Sequence, residues 1–193
     1  LRVSEEVRIY EKLMANSYLI VGPQSDPAGL KKATSAPDAL KRVASQGAPW
    51  VSRSDESGTH ALEKQLWKQA GADPTGKPWS IAASTGMGAA LKLADQKQAY
   101  LLIDRGTWLA LKRETRLVAL HQGGPELANP YSVMLVRVRG DQALQGRAAD
   151  KLVTFLRSEP VQERIGTFGK DRFGEPLFHP YTATTAQACP AVR

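Results

Sequence analysis

Short apolar runs alternate with amphipathic segments along this chain of 193 residues, and the alternation limits the folds open to it. The runs 18–21 and 99–103 are each followed by a turn signal, as is typical of buried strands. Between them lie helical patterns with recognisable ends, such as the segment 35–47. Strands that alternate with helices predict an α/β fold with an open, largely parallel sheet. Two strong strands, 18–21 and 132–138, either cross between two lobes or lie side by side in one sheet.

The charge balance favours a generally basic surface over a nucleic-acid site. Lys and Arg total 26 against 19 Asp and Glu, which gives a formal net charge of +7. The basic residues are scattered and are not interleaved with aromatic residues, so no nucleic-acid partner is predicted. No apolar run approaches the roughly 20 residues that span a bilayer, so no transmembrane segment is predicted.

Cysteine and histidine usage argues against a site for a metal cation, and no cofactor is predicted. The single cysteine, Cys189, excludes an intramolecular disulfide, and we expect its thiol to have no function. The three histidines are scattered along the chain. The chain begins at Leu1 with neither a Met start nor a signal peptide, and we expect this to be a mature or trimmed end.

A hydroxyl-rich turn, 52–60 (SRSDESGTH), opens a helical run. Such a turn leaves free backbone N–H groups and the positive end of the helix dipole facing outward, and both attract an anion. Arg53 adds a fixed charge with a planar fork of donors. The ordinary alternative is a helix cap formed by Ser57 or Thr59.

A second turn of the same kind, 84–88 (STGMG), also precedes an apolar-periodic run. Its glycines let the backbone approach a ligand closely before the helix begins. The two turns lie about thirty residues apart in sequence and could converge on one small oxyanion. Neither ends in the Gly-Lys-Ser/Thr of a P-loop, which disfavours nucleotide hydrolysis.

A serine hydrolase is a further class that the residues disfavour. Ser57 and His60 are three residues apart on one turn, and there is no G-x-S-x-G elbow and no evident orienting acid. We expect His60 to have a packing or supporting role, because a charged imidazole there would oppose the helix dipole. The protein is therefore predicted not to be an enzyme.

Ordered motifs along nearly the whole chain resemble the tungstate-binding proteins of bacterial ABC importers. This family belongs to the type II periplasmic binding proteins, together with the molybdate- and sulfate-binding proteins. The matching segments are 16–23 (NSYLIVGP), 26–29 (DPAG), 51–60 (VSRSDESGTH), 66–67 (LW), 85–88 (TGMG), 99–100 (AY), 104–107 (DRGT), 129–131 (NPY), 155–158 (FLRS), 162–165 (QERI), 168–169 (FG) and 177–180 (LFHP).

The resemblance implies an α/β architecture of the type II periplasmic binding proteins, with a mixed open sheet flanked by helices. Residues 22–130 are expected to form a complete second lobe that carries the anion-binding turns. Residues 1–21 and 131–193 are expected to form the C-terminal part of a first lobe. Family members begin with a further segment of about ninety residues that includes a Thr/Ser-rich turn, and the resemblance here begins after it. Ser54 departs from the family, in which glycine is common at this position.

The resemblance also implies a ligand, which is a tetrahedral oxyanion such as tungstate or molybdate. It places Arg53 beside the anion, with hydroxyls and backbone groups of both turns around it. From the residues and the resemblance together, the predicted ligand-binding residues are Ser52, Arg53, Ser57, Thr59, Ser84, Thr85, Gly86, Met87 and Gly88. The alternative for Arg53 is an ion pair with Asp55 or Glu56.

The function implied by the resemblance is that of a solute-binding protein. It would act in the periplasm or outside the cell and deliver its oxyanion to the permease of an ABC transporter. The alternative is an oxyanion-sensing effector domain of a transcription regulator on the same fold. A helix-turn-helix segment, which such a regulator would need, is missing from the sequence pattern.

Overall fold

One long strand runs from the start of the described chain into its central part. The computed structural model describes residues 7–136 and 143–181. Within these ranges the chain divides into two compact units. We call 17–128 the central unit and the remaining described residues the flanking unit. The first strand, β1 (Val7–Gly22), contributes to both.

The central unit alternates strands and helices, as the sequence predicts. Its strands are β2 (Trp50–Ser52), β3 (Ser80–Ala82), β4 (Tyr100–Asp104) and β5 (Val118–Gln122). Its α-helices are α1 (Ala36–Gln46), α2 (Gly58–Ala70), α3 (Met87–Lys97) and α4 (Arg105–Leu111). Short 3₁₀ turns occur at Leu30–Lys32, Lys112–Glu114 and Pro125–Leu127.

Helix ends in the central unit follow from local sequence chemistry. The Oγ of Ser35 accepts the amide N–H of Asp38 at the start of α1, and Gly47 ends this helix with a φ of 59°. Gly71 ends α2 in the same left-handed conformation, with a φ of 66°. Serine is a preferred N-cap because its Oγ accepts an amide N–H of the first helical turn. Glycine is preferred at the C-terminal end because it adopts the left-handed conformation without steric cost.

The sheet of the central unit is mixed, in the order β3-β2-β4-β1-β5. Strand β2 pairs in parallel with β3 and β4, whereas β1 is antiparallel to β4 and to β5. This confirms the mixed sheet that the resemblance implies. Strand–helix alternation predicted a largely parallel sheet, and this prediction was wrong at β1. Strand β1, which also has residues in the flanking unit, is antiparallel to both β4 and β5.

Two apolar clusters form the core of the central unit. One includes the ring of Trp67, which packs edge-on against Trp50 at a centroid distance of 5.2 Å. The other is built on α3 and includes the side chains of Met87 and Leu91. Helices α1 and α2 contact one another, and α3 contacts β2 and β4.

The flanking unit contains the other end of β1 and the C-terminal helices. Its further elements are β6 (Ala128–Val136), α5 (Ala143–Leu156), α6 (Glu159–Thr167), α7 (Lys170–Phe173) and β7 (His179–Pro180). Strand β7 is antiparallel to β1, with Met14 opposite Pro180. The predicted strand 132–138 is described as far as Val136, and its last two positions lie outside the described residues, as does Cys189.

Candidate anion-binding site

Three parallel strands of the central unit end at the same edge of the sheet. Strand β2 leads through 53–57 to α2, β3 leads through 83–86 to α3, and β4 leads directly to α4. We call 53–57 the first turn and 83–86 the second turn. The two turns begin side by side, since Ser52 is paired with Ala82 and the amide of Ala83 donates to the Ser52 carbonyl at 2.8 Å. This edge is where ligands bind in open α/β sheets.

The first turn is tightly wound and internally bonded. Ser57 is the cap of α2, as the ordinary alternative predicted, and its Oγ accepts the amide N–H of His60 at 3.3 Å. The amide of Ser57 donates to Oδ1 of Asp55 at 3.2 Å. Ser54 and Glu56 have left-handed backbone, with φ of 46° and 57°. Few non-glycine residues adopt this conformation, so two of them within five residues give the turn an uncommon backbone shape.

Arg53 forms an ion pair with Asp55, which is the alternative that the sequence left open for this arginine. Nη2 of Arg53 donates to Oδ2 of Asp55, and 12% of the arginine side chain is exposed. Hydrogen bonds from Ser57 and Arg53 lower the pKa of Asp55 to about 2, so the pair is ionised at neutral pH.

The ion pair leaves part of the Arg53 donor fork unused. Nε of Arg53 is buried and has no hydrogen-bond partner among the residues that the structure describes. Buried polar groups are almost always hydrogen-bonded, and leaving one unsatisfied is costly. An acceptor placed beside this atom, such as an oxyanion oxygen, would satisfy it.

Helix α3 begins at the second turn with an open N-terminus. Its N-cap is Gly86, which has no side chain to accept the first amides, and a Cβ added there would meet nothing within 4 Å. The backbone of Gly86 has a φ of −62° and a ψ of 158°, which any residue can adopt. Glycine is therefore not required by the fold at this position, and the space beside it is free for a ligand.

The other predicted site residues differ in what they can offer. Ser84 is exposed with a φ of 49°, and Thr85 is half-buried in the same turn. Met87 packs its side chain into the core, so only its backbone faces the turn. A Cβ on Gly88 would lie 3.5 Å from Cδ1 of Leu111, which places this glycine against α4.

Ser57 and His60 are both engaged at the start of α2. The Ser57 hydroxyl accepts from the His60 backbone, and Nδ1 of His60 accepts the amide N–H of Glu56 at 3.2 Å. These bonds give both residues a role in holding the helix start. That the protein is not an enzyme stays a prediction.

A buried carboxyl that the sequence analysis did not single out lies beneath the first turn. Glu63 is 2% exposed. Its Oε1 accepts the indole N–H of Trp50 at 2.9 Å and of Trp67 at 3.4 Å, and its Oε2 accepts the amide of Arg53 at 3.4 Å. Burial raises the pKa of Glu63, and the hydrogen bonds that it accepts from Trp50, the Arg53 amide and Trp67 oppose this rise.

A cavity of about 570 Å³ opens beside the first turn. It is formed by the end of β2, one face of α2, the loop that follows α2, and β3. Its lining residues are Ser52, Ser54, His60, Glu63, Lys64, Trp67, Lys68, Ala72, Asp73, Pro74, Thr75, Gly76, Ser80 and Ala82. The cavity therefore borders both Ser52 at the end of β2 and the buried Glu63 of α2.

We expect Ser54→Gly to raise the free energy of unfolding by about 0.5–1 kcal/mol. Glycine adopts the left-handed conformation without the steric cost that serine carries, although the Ser54–Ser52 hydroxyl bond of 3.1 Å is lost. Calorimetry should show a melting temperature higher by about 1–3 °C. The control is Ser45→Gly in α1, where glycine weakens a helix and lowers the melting temperature. A decrease for both variants would contradict the expectation.

Residues 7–136 and 143–181 contain no group of three or more His, Cys, Asp or Glu that could hold a metal ion. No helix in these two ranges is long and apolar enough to cross a membrane.

Comparison with known proteins gives a consistent set of relatives. A family model described as a PBP superfamily domain matches residues 5–160. The tungstate-binding protein TupA of Peptoclostridium acidaminophilum is 36% identical over 173 residues, which cover 89% of this chain and 60% of that relative. The chain thus spans about 60% of the length of this curated relative.

Solved structures of similar proteins match the fold as well. The tungstate-binding protein TupA from Desulfovibrio alaskensis G20 is 34% identical with a TM-score of 0.81, covering 92% of this chain and 72% of that one. The structure described as the tungstate ABC transporter from Geobacter sulfurreducens is 40% identical with a TM-score of 0.74, covering 85% and 69%.

Proposed function

The chain belongs to the PBP superfamily and, within it, to the family of tungstate-binding proteins, and from this premise we propose that it is the solute-binding component of an ABC importer. Its ligand is a tetrahedral oxyanion, tungstate or molybdate. It acts in the periplasm or outside the cell and delivers the anion to a permease. The residues proposed to bind it are Ser52, Arg53, Ser57, Thr59, Ser84, Thr85, Gly86, Met87 and Gly88.

The observation that carries this proposal is the unused part of the Arg53 donor fork. Its Nε is buried at the edge from which both turns depart, and no described residue accepts from it. A charge-assisted hydrogen bond to an anion is about twice as strong as a neutral one. The open start of α3 and the space beside Gly86 provide further donors from a second direction.

The two units support a two-lobe arrangement of this binding protein. The central unit, 17–128, is proposed to be the complete lobe predicted at 22–130, and the flanking unit to be part of the other lobe, predicted at 1–21 and 131–193. Every proposed binding residue lies in the central unit.

A ligand panel tests the proposal. The protein produced from its native gene is titrated with tungstate, molybdate, sulfate and phosphate at constant ionic strength while its melting temperature is followed. At a free ligand concentration of one hundred times the dissociation constant, binding adds about 2.7 kcal/mol, or roughly 5–10 °C for a chain of this size. Tungstate and molybdate should give the largest shifts.

Chloride at equal ionic strength is the control for non-specific stabilisation of a basic protein. A melting temperature that none of the four oxyanions raises above the chloride value would contradict the proposal. The alternative of an effector domain in a transcription regulator stays a prediction, since no observation in the described part of the chain favours it.

A further inference from the structure

Arg53 is held at both ends by acidic side chains. Its amide N–H donates to Oε2 of Glu63 at 3.4 Å, and Nη2 of its guanidinium donates to Oδ2 of Asp55. An arginine side chain has many rotamers in solution, and a bond to its guanidinium removes most of them. The protein itself therefore fixes where the charge of Arg53 lies.

Asp55 is anchored in turn through its other oxygen. Its Oδ1 accepts the amide N–H of Ser57, the N-cap of α2, at 3.2 Å. The residues on either side of Asp55, Ser54 and Glu56, have the left-handed backbone of this turn. One carboxylate thus joins the guanidinium of Arg53 to the start of a helix of 13 residues.

The second carboxylate of the first turn has a different partner. Glu56 is 79% exposed, and its Oε2 lies 3.1 Å from Nζ of Lys64. Asp55, which pairs with Arg53, is 20% exposed. The bond to Arg53 is therefore made by the carboxylate that is more buried and more restricted in its movement.

A carboxylate at this position is unfavourable for the charge of an anion site. The pKa of Asp55 is about 2, so the side chain is charged at neutral pH. Its charge offsets that of Arg53 and repels an incoming dianion. Ordering of the guanidinium is the opposing effect, because a ligand that meets an ordered side chain loses no affinity in immobilising it. The two effects predict opposite results when Asp55 is replaced.

We propose that Asp55 is the positioning residue of the anion site, and that it holds Nη2 of Arg53 so that the buried Nε is directed at the bound oxyanion. This inference rests on the proposed function. The guanidinium is planar and rigid, so a bond to Nη2 also restricts Nε. Nε is buried and has no hydrogen-bond partner among the residues that the structure describes. An ionised carboxylate has no hydrogen to donate, so Asp55 acts on the anion through Arg53.

Calorimetric titration of Asp55→Asn with sodium tungstate tests the proposal. Asparagine forms the same turn with the amide of Ser57, but its NH₂ group then replaces Oδ2 and cannot accept from Arg53. Affinity at neutral pH should fall about tenfold, the loss expected when a rotamer-rich side chain must be ordered on binding. An affinity equal to or higher than that of the wild type would overturn the proposal.

Asp95→Asn is the matched control. Asp95 is 19% exposed, pairs with Arg116 at 3.0 Å and accepts the amide of Arg116 at 2.8 Å, so it makes the same two kinds of bond as Asp55. This variant should keep the wild-type affinity, and an equal loss in both variants would overturn the proposal. Circular dichroism checks that both are folded. If Asp55→Asn is unfolded, Asp55→Ser replaces it, since a serine hydroxyl can accept the amide of Ser57 but carries no charge for Arg53.

The Arg53→Met protein separates positioning from a purely structural role. In this background Asp55 has no guanidinium to hold, and its repulsion of the dianion is what remains. Asp55→Asn should therefore strengthen tungstate binding here, although it weakens binding when Arg53 is present. The same loss in both backgrounds would show that Asp55 supports the turn independently of Arg53, and would overturn the proposal.

Nuclear magnetic resonance with ¹⁵N-labelled arginine observes the guanidinium directly. The Nε–H signal of Arg53 is identified by its absence from the Arg53→Met spectrum. At saturating tungstate this hydrogen should exchange slowly with solvent in the wild type and faster in Asp55→Asn, and equal rates would contradict the positioning role. A wild-type protein that binds no oxyanion would instead refute the proposed function, and this inference with it.

Discussion

Substitution of Arg53 by methionine is expected to weaken tungstate binding by about a hundredfold or more. The variant loses charge-assisted hydrogen bonds to the anion, each contributing about 1.5–3 kcal/mol. It also leaves the carboxylate of Asp55 without its partner and close to the bound dianion. Together these effects amount to roughly 3 kcal/mol, and each 1.4 kcal/mol is a factor of ten in affinity. Calorimetric titration measures the change directly.

Arg116→Met is the matched control for this experiment. Arg116 is also paired with a carboxylate, that of Asp95, at 3.0 Å, and its side chain is 70% exposed. The control removes the same charge and one arginine–aspartate pair from the same unit, so it should keep nearly full affinity. Equal affinities for the two variants would show that Arg53 does not contact the anion.

Substitution of Gly22 by alanine is expected to lower the free energy of unfolding by about 3 kcal/mol or more. The added Cβ would lie 2.7 Å from Cε1 of Tyr100 and 2.8 Å from Cδ1 of Leu120, inside van der Waals contact. The tyrosine ring cannot move aside, because its hydroxyl accepts the amide of Ala28 at 2.8 Å and bonds to Asp26 at 3.1 Å. Urea denaturation followed by circular dichroism measures the loss.

The control for Gly22 is the same substitution at Gly146 in α5. A Cβ there meets nothing within 4 Å, and alanine is favoured over glycine in a helix by about 0.5–1 kcal/mol. Gly146→Ala should therefore leave stability unchanged or slightly raised. A Gly22→Ala protein with the wild-type unfolding midpoint would show that Tyr100 can be displaced at little cost.

Helices in this chain were predictable because their ends carry local signals. Ser35 and Gly47 set the bounds of α1, and Ser57 and Gly71 those of α2, through contacts between residues close in sequence. Strand β3 was missed because three residues, Ser80–Ala82, are too short to show a period. The direction of β1 depends on long-range pairing, to which no local pattern corresponds.

The candidate site likewise has features that the sequence predicted and features that it did not. The first turn was identified from its hydroxyls and its arginine, but the left-handed backbone at Ser54 was not, because serine rarely adopts it. The departure from glycine at this position was nevertheless a signal. Glu63 was missed although it lies on the helix face that also carries Leu66 and Trp67, all three being buried. An acidic residue on an apolar face is a signal that could have identified it.

Helix α2 has a side-chain cap at its N-terminus and helix α3 has none, and this difference affects how the backbone responds when the anion binds. The cap of α2 is Ser57, since its Oγ accepts the amide N–H of His60. The N-cap of helix α3 is a glycine with no side chain to accept the first amide N–H groups. In the proposed function the bound anion would accept them in place of a capping side chain. Anion binding would then make the start of α3 more rigid. The anion-free and anion-bound proteins would differ in the rigidity of this one helix.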